Sequence, residues 1–538
     1  MSKSEDDIEN GGLTRGELLK AAAVAAPGLL LGRPAAAAAA RTRPQPPPGP
    51  AGRGIAGMNV LLFLTDQQRA IQHFPVGWSR RNMPGHTRLH QHGMLFKNAF
   101  TNACMCSPAR STLMSGYFPA QHGVKYTLET DMPAPQYPQV ELATSFKNLA
   151  TVAAAAGYVP VYKGKFHCNK PANGSTWVPS DVNKYGFTRW DPPDAGADQS
   201  IPEEGGGIYD NDGRFMNSRG TPEAGTEGAV QYLSATAAQS QPFFMVVSLV
   251  NPHDVLLYPS SFVSGGYDDA WLEGEIRLPA TVNESLSTKP AVQEEFLRLF
   301  NASGPIPTPQ MKRNYLNFYG NLMKASDAYL VKILDTLETA CLLENTLVIA
   351  TADHGEMGTA HGGLRQKNFN FYEETTRVPL IYSNPRLFKR PETNHALVSH
   401  VDFLPTLASL LDAPAEARDS WQGVDYADQI LSRSPRPSQG YTVFTYDDWQ
   451  SGQSRGPYPK PPNHIVSIRE HRYKIARYYD ADAVLPDQWE MYDLATDPLE
   501  RINLAYKHHK RTFEQERQFK RLRRKLARVQ RTRLQPLS

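Results

Sequence analysis

Three continuous apolar runs punctuate this chain, and each stops abruptly at polar side chains. Val60 to Leu64 runs into Asp66 and Gln67, Pro242 to Val250 into Asn251-Pro252-His253-Asp254, and Thr346 to Thr351 into Asp353-His354. Unbroken rather than alternating apolar residues predict strands buried on both faces of a parallel sheet. Open α/β sheets bind ligands just beyond the carboxyl ends of their strands, so three such endings predict convergence on one site. A single strand-end Asp could equally cap the next turn, and one run alone would decide nothing.

The second half changes period. Thr442 to Tyr446, His464 to Arg469, Tyr473 to Tyr479 and Trp489 to Leu494 are short β-like runs separated by turn residues, which predicts an antiparallel meander. Beyond them, Phe519, Leu522, Leu526 and Val529 fall at helical spacing among many arginines. That pattern predicts an amphipathic helix with its apolar face docked and its basic face in solvent. The fold expected is α/β: a large mixed, mostly parallel sheet sandwiched by helices, with a smaller C-terminal antiparallel sheet subdomain. The main domain is expected over residues 58–431, the small subdomain over 441–505 and the basic helix over 506–538, with a Ser/Arg/Pro-rich linker from Ser432 to Gly440.

The amino end reads as a targeting segment over residues 1–40. A polar leader is followed by an Ala/Leu-rich stretch from Ala21 to Gly32 and an Ala run from Ala35 to Ala40, too short to span a bilayer. It resembles a twin-arginine export signal with Gly16 in place of the second arginine, and implies a periplasmic or secreted protein. Residues 41–57, rich in Pro and Gly, form a spacer. No other stretch suits a membrane span, so no integral span is expected.

Charge adds one fact. The net charge of +3 over 538 residues is uneven, because Tyr506 to Ser538 carries twelve Lys/Arg against two Glu and leaves the rest negative. A basic tail could meet nucleic acid or an acidic membrane, but the amphipathic spacing favours a docked helix, and no nucleic-acid partner is expected. Four cysteines are too few for a disulfide framework, and none shows paired metal-ligand spacing.

One of those cysteines heads the stretch Cys106-Ser107-Pro108-Ala109-Arg110. Ser107 is a possible helix cap, Pro108 suits a first turn, and Arg110 adds a fixed positive charge. A helix start with an Arg nearby attracts oxyanions, although a free Cys is more often buried and inert. Asp66, Gln67, Asp353 and His354 offer mostly oxygen with one imidazole, a set suited to a hard divalent cation.

Cys106 to Arg110, followed by Ser115-Gly116, resembles the signature of the type I, formylglycine-dependent sulfatases of the alkaline phosphatase superfamily, and the chain is arylsulfatase-like. The resemblance runs from Met58 to Leu504 through ordered landmarks: Asp66-Gln67, the Cys106 stretch, Gly164-Lys165-Phe166-His167, Asn251-Pro252-His253, Asp353-His354-Gly355 and Lys367. It implies that a formylglycine-generating enzyme oxidises Cys106 to formylglycine, whose hydrate is the nucleophile. The implied metal set is Asp66, Gln67, the modified Cys106, Asp353 and His354, holding Ca²⁺, with Mn²⁺ as competitor. Arg110 and Lys165 would hold the formylglycine, and Asp353 would accept the nucleophile's proton. Lys367 and His253 would bind sulfate and protonate the leaving oxygen, and His167 would take the second hydroxyl proton. Asp254 would orient His253. His361 and Arg365 are expected to be either substrate contacts or ordinary surface residues.

The activity implied is that of a sulfuric ester hydrolase acting on a small-molecule or glycan sulfate ester. The alternative is a phosphonate monoester or phosphodiester hydrolase on the same fold. Gln67 and His354 support it, whereas the Lys165/His167 pair opposes it and speaks for sulfate.

Overall fold

A computed structural model describes residues 55–537, apart from 71–72, 130–138, 175, 197–210, 218–220, 222–223, 237–238, 257, 432–436 and 454–455. The expected leader, spacer residues 41–54 and the first part of the linker lie outside the described residues.

The first apolar run is β1 (Asn59–Thr65), an interior strand of a seven-stranded sheet. The others are β2 (Gly93–Phe100), β4 (Val159–Gly164), β5 (Phe243–Ser248), β6 (Thr346–Ala352), β7 (Leu380–Ser383) and β8 (Glu392–Ser399), with β3 (Ala103–Cys104) belonging to a second sheet. The order is β4-β5-β1-β6-β7-β2-β8, parallel except that β7 runs against both neighbours. The unbroken hydrophobicity of β1 follows from its position. Val60, Leu62 and Leu64 enter one core with Leu113, Tyr162 and Leu404, while Leu61 and Phe63 enter another with Leu330 and Ile333 of the long helix Pro309–Thr339. Each fully buried side chain of this size contributes about 1.5–3 kcal/mol by leaving water.

Backbone bonds beyond the strands keep their carboxyl ends level. The Asp353 N–H donates to Thr65 O (3.1 Å), Leu249 to Leu64 O (2.8 Å) and Lys165 to Ser248 O (2.9 Å). The residues after β1, β4, β5 and β6 therefore emerge together at one edge.

The second sheet holds β9 (Thr442–Tyr446), β10 (His464–Arg469), β11 (Tyr473–Tyr479) and β12 (Gln488–Asp493) in the order β12-β11-β10-β9-β3. The four C-terminal strands are antiparallel, and β3 joins them parallel to β9, pairing Cys104 with Tyr446. No sequence pattern announces β3. Alternation gives the sheet two apolar faces: Phe444, Tyr446, Ile465 and Tyr478 pack with Cys104, Met105 and Phe369, while Val466, Ile468, Ile475 and Met491 meet the C-terminal helix. That helix, Phe513–Arg533, starts at Thr512, whose side chain accepts from Gln515 N, and docks through Phe519, Leu522, Leu526 and Val529. Glu470 pairs with Arg521 and Lys525 to fasten it. No helix among the described residues is long and apolar enough to cross a membrane.

Candidate active site

Cys106 leaves β3 as the first residue of the helix Cys106–Ser115, every residue of which is buried. Ser107 is not the cap. Met105 occupies that position, and the Ser107 hydroxyl instead accepts from Leu128 N at 3.0 Å, because the second helical residue already faces the packed interior. The helix ends at Gly116 (φ 72°), where a Cβ would meet Trp421 at 2.9 Å.

The Cys106 Sγ lies 3.2 Å from His354 Nε2 and 3.5 Å from Asp66 Oδ1. One ligand atom each from Asp66, Cys106, Asp353 and His354 falls within 4.8 Å of the others, all four residues being buried. No second cluster of this kind occurs among the described residues. One helical turn after Cys106, Arg110 donates from Nε to Asp353 Oδ2 (2.9 Å) and from Nη2 to Asp66 Oδ2 (3.2 Å). Its Nη1 donates to Lys165 O and Ser248 Oγ, both at 2.8 Å. The Lys165 ammonium sits 2.6 Å from Asp66 Oδ2. Asp353 Oδ1 accepts from the backbone N–H of Gln67 (3.0 Å) and His354 (2.8 Å). Burial works against ionising Asp66, but Lys165, His253 and Arg110 hold its carboxyl well below the usual range. The Asp66 carboxylate therefore stays ionised although it is buried.

The imidazole fits the same set. His354 Nδ1 faces Gly355 O at 3.1 Å, so Nδ1 is assigned the proton and the Nε2 lone pair points at Asp66, Asp353 and Sγ. Burial lowers its pKa, which keeps the ring neutral and free to donate that lone pair. Two carboxylates, a neutral imidazole and the side chain at 106 suit a divalent cation.

The flanking groups are cationic or basic. His167 directs Nε2 at Leu128 O (2.5 Å), leaving Nδ1 buried with no partner. Its backbone takes φ 53°, held by Asp194, whose carboxylate accepts from the N–H of Phe166 and His167 at 2.8 and 2.7 Å. A non-glycine there costs roughly 1–3 kcal/mol, which the carboxylate offsets. Burial, then Lys165, drive His167 well below its ordinary pKa. His253, 6% exposed, is lowered by burial and then Lys165, with Asp66 opposing. Asp254 bonds the hydroxyl of Tyr267.

Lys367 donates from Nζ to Gln67 Oε1 at 2.7 Å. The Gln67 amino group in turn donates to Glu356 Oε2 (2.6 Å) and Gln366 Oε1 (3.1 Å). Glu356 sits two residues after His354 with nothing in its run to mark it out, and Gln366 precedes Lys367. Tyr315, which donates to Glu356, comes from the long helix with no signal in the sequence.

His361 and Arg365 are neither surface residues nor members of this cluster. His361 is buried, bonds Glu284 at 2.8 Å and stacks on Tyr372 with ring centroids 3.7 Å apart. Arg365 donates to Tyr258 O, Asn301 Oδ1 and Gly304 O, so both hold the interior together.

Burial, with Asp66 beside it, pushes the Cys106 thiol up to about 12, against Lys367 and Lys165, so the protein in this state carries a neutral thiol. Residues 58–413 match the family model described as sulfatase, and residues 361–532 match N-sulphoglucosamine sulphohydrolase, C-terminal. The chain belongs to the sulfatase family. It is a type I sulfatase of the alkaline phosphatase superfamily, an enzyme that hydrolyses sulfate esters. A curated relative, the ulvan-active sulfatase of Formosa agariphila, is 26% identical over 462 residues, spanning 85% of this chain and 79% of its own. The solved structure of a 2-O GAG sulfatase aligns with TM-score 0.65 at 21% identity over 89% of this sulfatase and 92% of that chain. The phosphonate monoester hydrolase of Agrobacterium radiobacter aligns with TM-score 0.62 at 20% identity over 88% and 96%. These two show the shared fold.

Proposed function

We propose that this sulfatase cleaves a sulfate monoester, on a small molecule or a glycan, to an alcohol or phenol and sulfate, with formylglycine made from Cys106 and a divalent cation. The observation that carries the proposal is the place of Cys106 Sγ, 3.2 Å from His354 Nε2 and 3.5 Å from Asp66 Oδ1 at a helix start. A neutral buried thiol is a poor nucleophile. An aldehyde hydrate at the same point offers one hydroxyl to attack sulfur and a second whose deprotonation expels sulfate.

Asp66, Asp353 and His354, with Gln67 through Oε1 and the side chain at 106, would hold the cation, Ca²⁺ or Mn²⁺. The bound cation supplies positive charge to the sulfate oxygens and favours the ionised nucleophile. The chain's own groups do the rest. Arg110 fixes Asp66 and Asp353 relative to the helix start. Asp353 Oδ1 faces the cluster and is the acceptor for the nucleophile's proton. Lys165 and Lys367 set fixed cations around an anionic ester. Lys367 and His253 donate toward the leaving oxygen. The unpartnered His167 Nδ1 is the base for the second hydroxyl proton. The Lys165/His167 pair supports sulfate over the alternative phosphonate monoester or phosphodiester substrate.

A glycan sulfate is the substrate class favoured by the name of the ulvan-active relative. The signal-like residues 1–40 support export to the periplasm or beyond, and a formylglycine-generating enzyme is the partner for maturation. Peptide mass spectrometry at position 106, with rates on aryl sulfate and aryl phosphodiester, tests the proposal. An unoxidised thiol in protein from a formylglycine-making host, or a preference for the diester, sinks it.

A further inference from the structure

We propose that Glu356 is a positioning residue that decides which end of the Gln67 carboxamide faces the reactive centre. The inference rests on the reading of Gln67 Oε1 as part of the cation site.

Gln67 is completely buried and can present either an oxygen or an amino group to its surroundings. Lys367 Nζ, 2.7 Å from Oε1, can only donate. On the other side stands Glu356, also completely buried. Its Oε2 accepts from Gln67 Nε2 at 2.6 Å, and its Oε1 accepts from Tyr315 OH at 2.5 Å, Gln366 N at 2.9 Å and Gly358 N at 3.1 Å. Four donors converge on that side chain, so both of its oxygens are engaged as acceptors. Gln366 Oε1, 3.1 Å from Gln67 Nε2, takes the second amino hydrogen while its own Nε2 is spent on Leu256 O. Both amino hydrogens of Gln67 are thus taken by Glu356 and Gln366, and its oxygen is left facing Lys367. The backbone of Gln67 is held at φ 66° and that of Gln366 at φ 67°, left-handed conformations that a non-glycine residue adopts only under local constraint.

Glu356→Gln breaks this order without changing shape. The new carboxamide keeps its oxygen on Tyr315, Gln366 N and Gly358 N, so its amino group must face the amino group of Gln67. Relief requires Gln67 to flip, which turns two N–H groups toward Lys367 and the cation and sets its oxygen against Gln366 Oε1. In a Gln67→Glu background the same change has the opposite sense. There Glu356 faces a second carboxylate, and the amide introduced by E356Q would supply the donor that separates them.

The test is a four-member set: wild type, E356Q, Q67E and the double variant. Calorimetric titration of the chelator-stripped full chain with Ca²⁺ and with Mn²⁺ should show E356Q weakened by about 10–100-fold, the range for partners that orient a ligand. Metal-free melting at pH 8 should show E356Q lowering the midpoint in the wild-type background and raising it in Q67E. A double variant that folds where E356Q does not counts as that reversal. Unchanged cation affinity in a folded E356Q, or an E356Q effect of the same sign in both backgrounds, overturns the proposal. If the wild-type protein binds neither cation, the reading of the metal site fails, while the melting comparison still decides the orientation of the amide.

Discussion

The Arg110 Nε lies 2.9 Å from Asp353 Oδ2, joining the fourth residue after Cys106 to the end of a strand 243 positions later in the chain. The same guanidinium reaches Asp66. One planar cation therefore sets the spacing of two carboxylates, a task that a Lys point charge cannot perform. Arg110→Lys should keep the fold but lose at least tenfold in kcat/KM, and Arg110→Ala should cost about 3–5 kcal/mol, because it strands buried charges. Aryl sulfate kinetics and melting curves check both, and wild-type turnover in the Lys variant would refute the assignment.

Replacing Cys106 by Ala should abolish sulfatase activity while leaving the melting temperature within a few degrees. The side chain is buried but small, and its contacts are with polar neighbours. Residual activity near the wild-type level would exclude Cys106 as nucleophile precursor.

Stripping divalent cations should remove activity and lower stability together. A ligand that binds only the folded state stabilises it by about 2.7 kcal/mol at a hundred times its Kd. Readdition of Ca²⁺ or Mn²⁺ should restore both, and the ion that does so at lower concentration identifies the site's preference. Chelation without effect on either readout contradicts the metal assignment.

His361 makes stability depend on pH away from the reactive centre. Burial disfavours its charge, but Glu284 and Glu374 outweigh burial and raise it to about 9 from an ordinary 6.5. The folded state thus holds a proton that the unfolded state releases first. The contribution is fully present below about pH 6.5 and fades as pH rises through about 9, to an upper bound of about 3 kcal/mol. The melting temperature should fall across that window in wild type and much less in His361→Gln. Parallel curves for the two proteins would show that His361 is not the group responsible.

Leu526 is fully buried where the C-terminal helix meets the second sheet. Leu526→Ala should cost about 2–5 kcal/mol, as core truncations of this size do. A loss under about 0.5 kcal/mol by denaturant titration, the range of ordinary surface substitutions, would mean that the helix is loosely attached.

Much of this molecule is legible in its sequence because its chemistry is local. The runs into Asp66 and Asp353 mark strand ends, since a doubly covered strand has to be apolar until it meets the site. The Cys106 stretch is recognisable because reactive residue, helix start and Arg110 lie within five positions. What the sequence hides lies across the chain. Glu356, Gln366 and Tyr315 meet Gln67 only after folding, and a buried carboxylate in sequence looks like any exposed one. Ser107 reads as a cap because its true partner, Leu128 N, is distant in sequence. β3 is two residues long, and no periodicity can show in two residues.

That small strand sets a schedule for the protein's synthesis. Cys104 pairs with Tyr446, so the segment carrying Cys106 cannot take its final place until roughly 340 further residues have been made. At about 5–20 residues per second, this leaves a window on the order of 20–70 s. Afterwards Cys106 is 1% exposed, and its neighbours Cys104 and Met105 are packed against a sheet formed by the last part of the chain. An enzyme that modifies this side chain has to reach it in a chain that has not finished folding.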